Sequence, residues 1–186
     1  RVPMFAGCLT GAALFCYISS ASAVFMGQYG LSQQQFSYAF AFNAAGIMLM
    51  SSINKHLNTR MGIFQRLRLG GSIQCFGALA VFGTGLMADA PLWLLMSGLF
   101  FVVSGIGLTG PNAMALAMSQ QGARAGTASA IMGSMQFACG LLGGVILNFL
   151  VWKASLNMGI MMVLFTSAGL FAILKVGKQL KHSISA

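Results

Sequence analysis

The chain has almost no acid. Asp89 is the single carboxylate side chain among 186 residues, set against ten lysines and arginines. No Ser/His/Asp set, Cys/His cluster or phosphate-binding loop can be assembled from what remains, so an enzyme is not expected. Charge of either sign is scarce: 6% of residues carry it, against roughly 25% in a soluble domain. With 58% of residues apolar, a soluble fold of this size could not bury its own apolar surface. The apolar runs are continuous and lack the alternation of a membrane barrel, which leaves an all-α integral membrane protein. The four cysteines, Cys8, Cys16, Cys75 and Cys139, lie inside apolar segments. There they act as small hydrophobes, with no disulfide framework or metal site expected. The net charge of +9 does not imply nucleic acid, because the cations fall between or beside apolar runs and no basic domain carries them. His56 and His182 also lie outside those runs, where surface roles are expected.

What is present is six apolar segments, each near the ~20 residues that cross a bilayer as a helix. They cover roughly residues 2–26, 36–53, 69–87, 92–118, 126–151 and 156–174, in a single bundle over 1–186, with a basic loop at 54–68. The first could pass for a secretory leader, since Arg1 precedes it and Ala21-Ser22-Ala23 resembles a cleavage site. Its apolar run is too long for that, and five more follow. The start at Arg1 reads as a piece of a longer polypeptide. With the chain's start on the cytoplasmic side, Arg1, Lys55, Arg60, Arg66, Arg68, Arg124, Lys175, Lys178 and Lys181 all lie inside, and only Lys153 lies outside, with Asp89. The positive-inside rule therefore places both ends in the cytoplasm. The basic loop can contact anionic lipid headgroups or latch helix ends together.

Residues 98–144 organise the rest. Gly98, Gly105, Asn112 and Ser119 recur at intervals of seven, with Thr109 between them, and so share one helix face. Gly126, Gly133, Gly140 and Gly144 share a face on the next helix. Small residues let backbones approach closely in lipid, so both faces read as packing seams. Pro111 lies inside the first of these helices and cannot donate to the carbonyl of Gly107, which predicts a kink or local opening there.

No charge lies mid-span, so this chain offers no intramembrane proton relay of its own. Uncharged polar groups do lie there: Tyr17, Ser19, Ser20, Ser22, Asn43, Gln74, Thr109, Asn112 and Gln136. Asn43 shares a face with Phe36, Phe40 and Ile47. Aromatic groups beside a few polar ones suit a cavity for amphipathic molecules. The same polar groups also suit hydrogen bonds between helices, and for Asn43, Asn112 and Gln136 both readings stay open. Gln74 reads as an interhelical tie.

Two stretches then carry a resemblance. Pro111-Asn112-Ala113-Met114-Ala115 followed by Arg124-Ala125-Gly126-Thr127-Ala128-Ser129-Ala130 resembles the junction of spans ten and eleven in the Bcr/CflA group of drug-efflux transporters, within the major facilitator superfamily. Phe40-Ala41-Phe42-Asn43-Ala44, Asn54, Arg60-Met61-Gly62, Arg68 and Gly70 agree with its eighth span and following loop, and Tyr17-Ile18-Ser19 with its seventh. The resemblance implies the C-terminal six-helix half of a twelve-helix proton-coupled multidrug antiporter in the bacterial inner membrane. Its partners would be the lipid bilayer, the N-terminal half, protons and small amphipathic drug-like substrates. Spans one and four would line the cavity, two and five would meet the other half, and three and six would face lipid. Tyr17, Ser20, Phe40, Asn43, Thr109, Asn112 and Gln136 become cavity candidates. Arg60, Arg68 and Arg124 become cytoplasmic gating residues. Ser22 stands where that group usually has proline, which removes the ordinary cause of a kink in span one. A reading of another class is a six-helix protein without transport activity, a gene remnant or an assembly partner.

Overall fold

The computed structural model describes residues 2–119, 125–149 and 152–184. Among them are six long helices: α1 (Val2–Ser22), α2 (Gln33–Leu57), α3 (Ile63–Leu86), α4 (Leu92–Ser119), α5 (Ala125–Phe149) and α6 (Ala154–Ile184). All six are long and apolar enough to cross a membrane, so the chain is a multi-pass membrane protein in contact with the bilayer. α1 continues without a break into a π-helical segment, Ala23–Gln28. This deformation occurs beside Ser22, so the first span departs from α-geometry without a proline.

The basic loop is much shorter than its composition predicts. Lys55 closes α2, Arg66 and Arg68 belong to the first turns of α3, and only residues 58–62 connect the two helices. The helices outrun the apolar spans because their ends are capped by polar groups that can leave the hydrocarbon. At the start of α2 the Ser32 hydroxyl accepts from the Gln35 N–H at 3.2 Å, and the Gln35 side chain accepts from the Ser32 N–H at 2.9 Å. This is a reciprocal cap. Gln65 likewise accepts from the Gly62 N–H at 3.1 Å, ahead of α3. The turn into α2 passes through Gly30 at φ +66°, a backbone state that favours glycine.

The packing has an internal two-fold pattern. α1 lies against α5 and α6, α4 lies against α2 and α3, and α3 packs on α6. Exchanging α1 with α4, α2 with α5 and α3 with α6 maps these five principal contacts onto one another. Two three-helix units related in this way run in opposite senses across a bilayer, as in the inverted repeats of many transporters. The end of the bundle holding the turn 58–62 and the last turns of α4 is called the inner end below, following the charge asymmetry.

Close backbone approach holds the units together. A Cβ on Gly77 would lie 2.6 Å from the Gly98 carbonyl, and one on Gly98 would lie 2.9 Å from Val81. α3 and α4 thus touch through the glycines of the predicted α4 seam. At the outer end a Cβ on Gly159 would lie 2.6 Å from the Phe82 backbone, which fixes α6 against α3. Lys153 adds a tie there, donating to the carbonyls of Ala88 at 2.8 Å and Met87 at 3.3 Å. Lipid tails are as apolar as leucine, so dispersion at such contacts supplies the association energy. Two apolar cores result. The outer one joins Tyr17, Phe25, Val81, Leu99, Val102 and Met158, and a smaller inner one joins Cys8, Leu67, Ala117, Met132 and Ile173. α2 and α5 are left on the flanks with large apolar side chains exposed, among them Tyr38, Phe42 and Met48 on α2, and Phe137, Leu141 and Phe149 on α5.

Candidate functional site

The aromatic face of α2 meets the middle of α1. Phe36, Phe40 and Asn43 follow at helical spacing, and this places them together against Tyr17. The rings of Tyr17 and Phe40 stack with centroids 5.2 Å apart and planes 16° apart. Phe36 lies 6.0 Å from both Phe40 and Phe25. The Asn43 amide donates to the Tyr17 hydroxyl at 3.1 Å. Asn43 has 0% exposure, and its carbonyl oxygen has no hydrogen-bond partner. A buried acceptor without a donor costs free energy that an incoming N–H or O–H would recover. Three of the predicted cavity residues, Tyr17, Phe40 and Asn43, therefore form one corner in which aromatic faces flank an unfilled acceptor.

The other candidates lie elsewhere. Thr109 turns toward α3: its hydroxyl is 3.2 Å from the Gly105 carbonyl and 3.4 Å from the Gln74 side-chain oxygen. Gln74 in turn donates to the Thr10 carbonyl at 3.4 Å, so this pair links α1, α3 and α4. Gln136 donates to the Gly7 carbonyl at 3.0 Å and links α5 to α1. Ser20 donates back to the Cys16 carbonyl at 2.5 Å. With Ser19, Leu141, Gly144 and Val145 it also lines an open cleft of about 320 Å³ between α1, α5 and α6. Sequence spacing placed these groups within spans but could not say which neighbour each helix face would meet.

Asn112 belongs to a separate cluster at the inner end. Its amide donates to the Leu108 carbonyl at 2.7 Å and to the Asn54 side-chain oxygen at 2.8 Å. The same oxygen accepts from Arg66 at 3.1 Å. Arg66 is 7% exposed, and its Nε is buried without a partner. Arg60 and Arg68, expected to gate, are both exposed, and Arg124 lies outside the described residues. Among the described residues the buried cation is Arg66, whose place beside the polar turn marks it only as one of the loop's charges. A signal for it existed: Arg66, Gly70, Gln74 and Gly77 fall at helical spacing, and all four are buried. The glycine face of α5 is divided between contact and open space within this bundle. A Cβ on Gly140 would meet Phe15, and one on Gly144 would lie 3.1 Å from Ser19, whereas Gly126 and Gly133 have open space around them. Met132, Gln136, Gly140 and Gly143 of α5 lie against α1, so only part of the seven-residue glycine face meets that helix. α4 is an unbroken helix through Pro111, whose ring is exposed.

No protein-family model matches the chain. Over 141 residues it is 32% identical to the Bicyclomycin resistance protein homolog of Haemophilus influenzae, a match covering 76% of this chain and 35% of that protein. Over 132 residues it is 33% identical to the Uncharacterized MFS-type transporter YdgK of Bacillus subtilis, covering 71% of this chain and 32% of that protein. The chain thus spans about a third of the length of the curated relatives it matches.

Proposed function

Because the chain belongs to the major facilitator superfamily, as a relative of its bicyclomycin-resistance transporters, we propose that it is the C-terminal six-helix half of a proton-coupled multidrug efflux antiporter of the bacterial inner membrane. The observation that carries the reading is the bundle itself. It has six helices in two exchanged three-helix units, in a chain matching a third of a drug-resistance homologue. The substrate side is the corner of Tyr17, Phe40 and Asn43. Its aromatic faces suit the apolar body of an amphipathic drug, and the free Asn43 oxygen suits a hydroxyl or amine on it. The exposed apolar faces of α2 and α5 meet the N-terminal half, and alternating access is a rocking of one half on the other. Proton coupling needs a titrating group in the membrane. This chain's only acid, Asp89, is exposed in the turn between α3 and α4, so the coupling carboxylates belong to the other half.

The test uses an efflux-deficient bacterium expressing either the complete reading frame or residues 1–186 alone. Drug resistance from the complete frame only, abolished by a proton uncoupler, is the expected result. Resistance from residues 1–186 alone would overturn the half-transporter reading. Resistance from neither would favour a six-helix protein without transport activity.

A further inference from the structure

The weakest stretch of α4 lies beside its most elaborate polar cluster. Gly105, Gly107, Gly110 and Pro111 fall within seven positions. Each glycine lowers helix propensity by about 1 kcal/mol relative to alanine, and Pro111 leaves the Gly107 carbonyl without its helical donor. Asn112 bridges this turn, because its amide reaches back to the Leu108 carbonyl while also donating to Asn54. The Asn54 amide can be oriented in one way only. Arg66 has donors alone, and Asn112 presents its NH₂ group, so Asn54 must offer its oxygen to both. The chain of bonds thus runs from Arg66 at the start of α3, through Asn54 at the end of α2, to both sides of Pro111 in α4. Within this chain Arg66 has no acidic side chain to pair with, since Asp89 is its sole acid and lies beyond the far end of α3. Its buried charge is held by a neutral amide.

We propose that Asn54 and Arg66 are positioning residues that clamp α4 across its Pro111 turn and so set how far the inner end of α4 swings during the transport cycle. The inference rests on the transporter reading, but α4 motion can be read without transport, so the two fail separately. A neutral acceptor facing a buried guanidinium makes the clamp moderate in strength. A carboxylate at the same position would tighten it, because charge-assisted hydrogen bonds are shorter and stronger. An apolar side chain there would release it.

The complete protein, with its cysteines replaced, is given one reporter, Ala117→Cys. Ala117 is buried in the inner core, one to two turns beyond Pro111. Maleimide labelling from the inner face is then timed in inside-out vesicles. Asn54→Leu should speed labelling about tenfold, as expected for leaving buried donors unpaired. Asn54→Asp should slow it about threefold or more through the charged pair, and should lower transport turnover with KM unchanged. Adding Arg66→Gln to Asn54→Asp should remove the slowing. Where Asn54→Leu does not reach the membrane, Asn54→Ser, too short to hold both donors, takes its place. Opposite shifts from the two kinds of variant support the clamp even if no drug is transported. Shifts in the same direction, or none at equal membrane expression, overturn it.

Discussion

Two helix pairs that the internal exchange makes equivalent, α2 on α4 and α5 on α1, are built from different contacts. On the α2–α4 side Gly46 meets the Ser104 and Phe100 side chains, but at Gly107 the approach is backbone to backbone. A Cβ on Gly107 would lie 2.6 Å from the Ile47 carbonyl oxygen and 2.8 Å from the Ser51 nitrogen. On the α5–α1 side the approach is backbone to side chain: a Cβ on Gly143 would lie 2.8 Å from the Cys16 sulfur, with the Phe165 ring of α6 at 3.0 Å. The first pair is closed by the Arg66–Asn54–Asn112 chain, the second by the Gln136 bond to Gly7 and a weak thiol bond from Cys8 to the Met132 carbonyl. A shared helix arrangement therefore constrains neighbours and directions, while stiffness is set locally by which atoms meet. Main chain cannot move aside, whereas the end of a side chain can change rotamer.

Substitutions at matched positions test that contrast. The largest effect is expected from Gly107→Ala, which drives a methyl into the α2 backbone and should cost about 3 kcal/mol. Gly143→Ala should cost less than half as much. Thermal unfolding in detergent, followed by size-exclusion fluorescence, compares the two directly, and equal losses would erase the distinction. Next, Asn112→Leu should cost about 2 kcal/mol, because it removes a donor from a buried network that holds a cation. Gln136→Leu should cost about 0.6 kcal/mol, the usual worth of an interhelical hydrogen bond in a membrane protein. In resistance assays Asn112→Leu should lower resistance to all substrates alike. Tyr17→Phe, with a stability change of about 0.6 kcal/mol, should instead reorder the substrates, and a uniform loss would remove Tyr17 from the binding corner. The smallest effect, opposite in sign, is expected at Gly133. With open space around it, Gly133→Ala should raise stability by about 0.5 kcal/mol through helix propensity and a less flexible unfolded chain. A fall in melting temperature would show that Gly133 packs against something beyond this bundle.

The helix count was legible because long uncharged runs leave the backbone few alternatives in lipid. The meeting of Tyr17, Phe40 and Asn43 was partly legible too, since the spacing put Asn43 on the face of Phe36 and Phe40. The roles of the remaining polar residues were not. Thr109 and Asn112 lie three positions apart on one helix, yet Thr109 meets α3 and Asn112 meets α2, a division that depends on where α4 sits between its neighbours. Arg66 was obscured by composition. A cation beside a polar turn reads as solvated, and only the burial of its helix face shows otherwise. For the α5 glycines the repeat marks a common face but not what lies against it: Gly140 and Gly144 meet α1, while Gly126 and Gly133 have open space within this bundle.

The π-helical end of α1 has a consequence for sequence change. A π-turn holds one residue more than an α-turn for the same advance, so residues Ala23–Gln28 carry slack that no other described helix has. Losing one residue elsewhere in a span would rotate everything beyond it by about 100° and turn buried faces outward. Losing one here would let the backbone relax into an ordinary helix. The local casualty would be Gln28, whose side chain accepts from the Ser155 N–H at 3.0 Å and holds the start of α6. The outer end of α1 is thus where this bundle can absorb a one-codon deletion, exchanging a contact to α6 for a straighter helix.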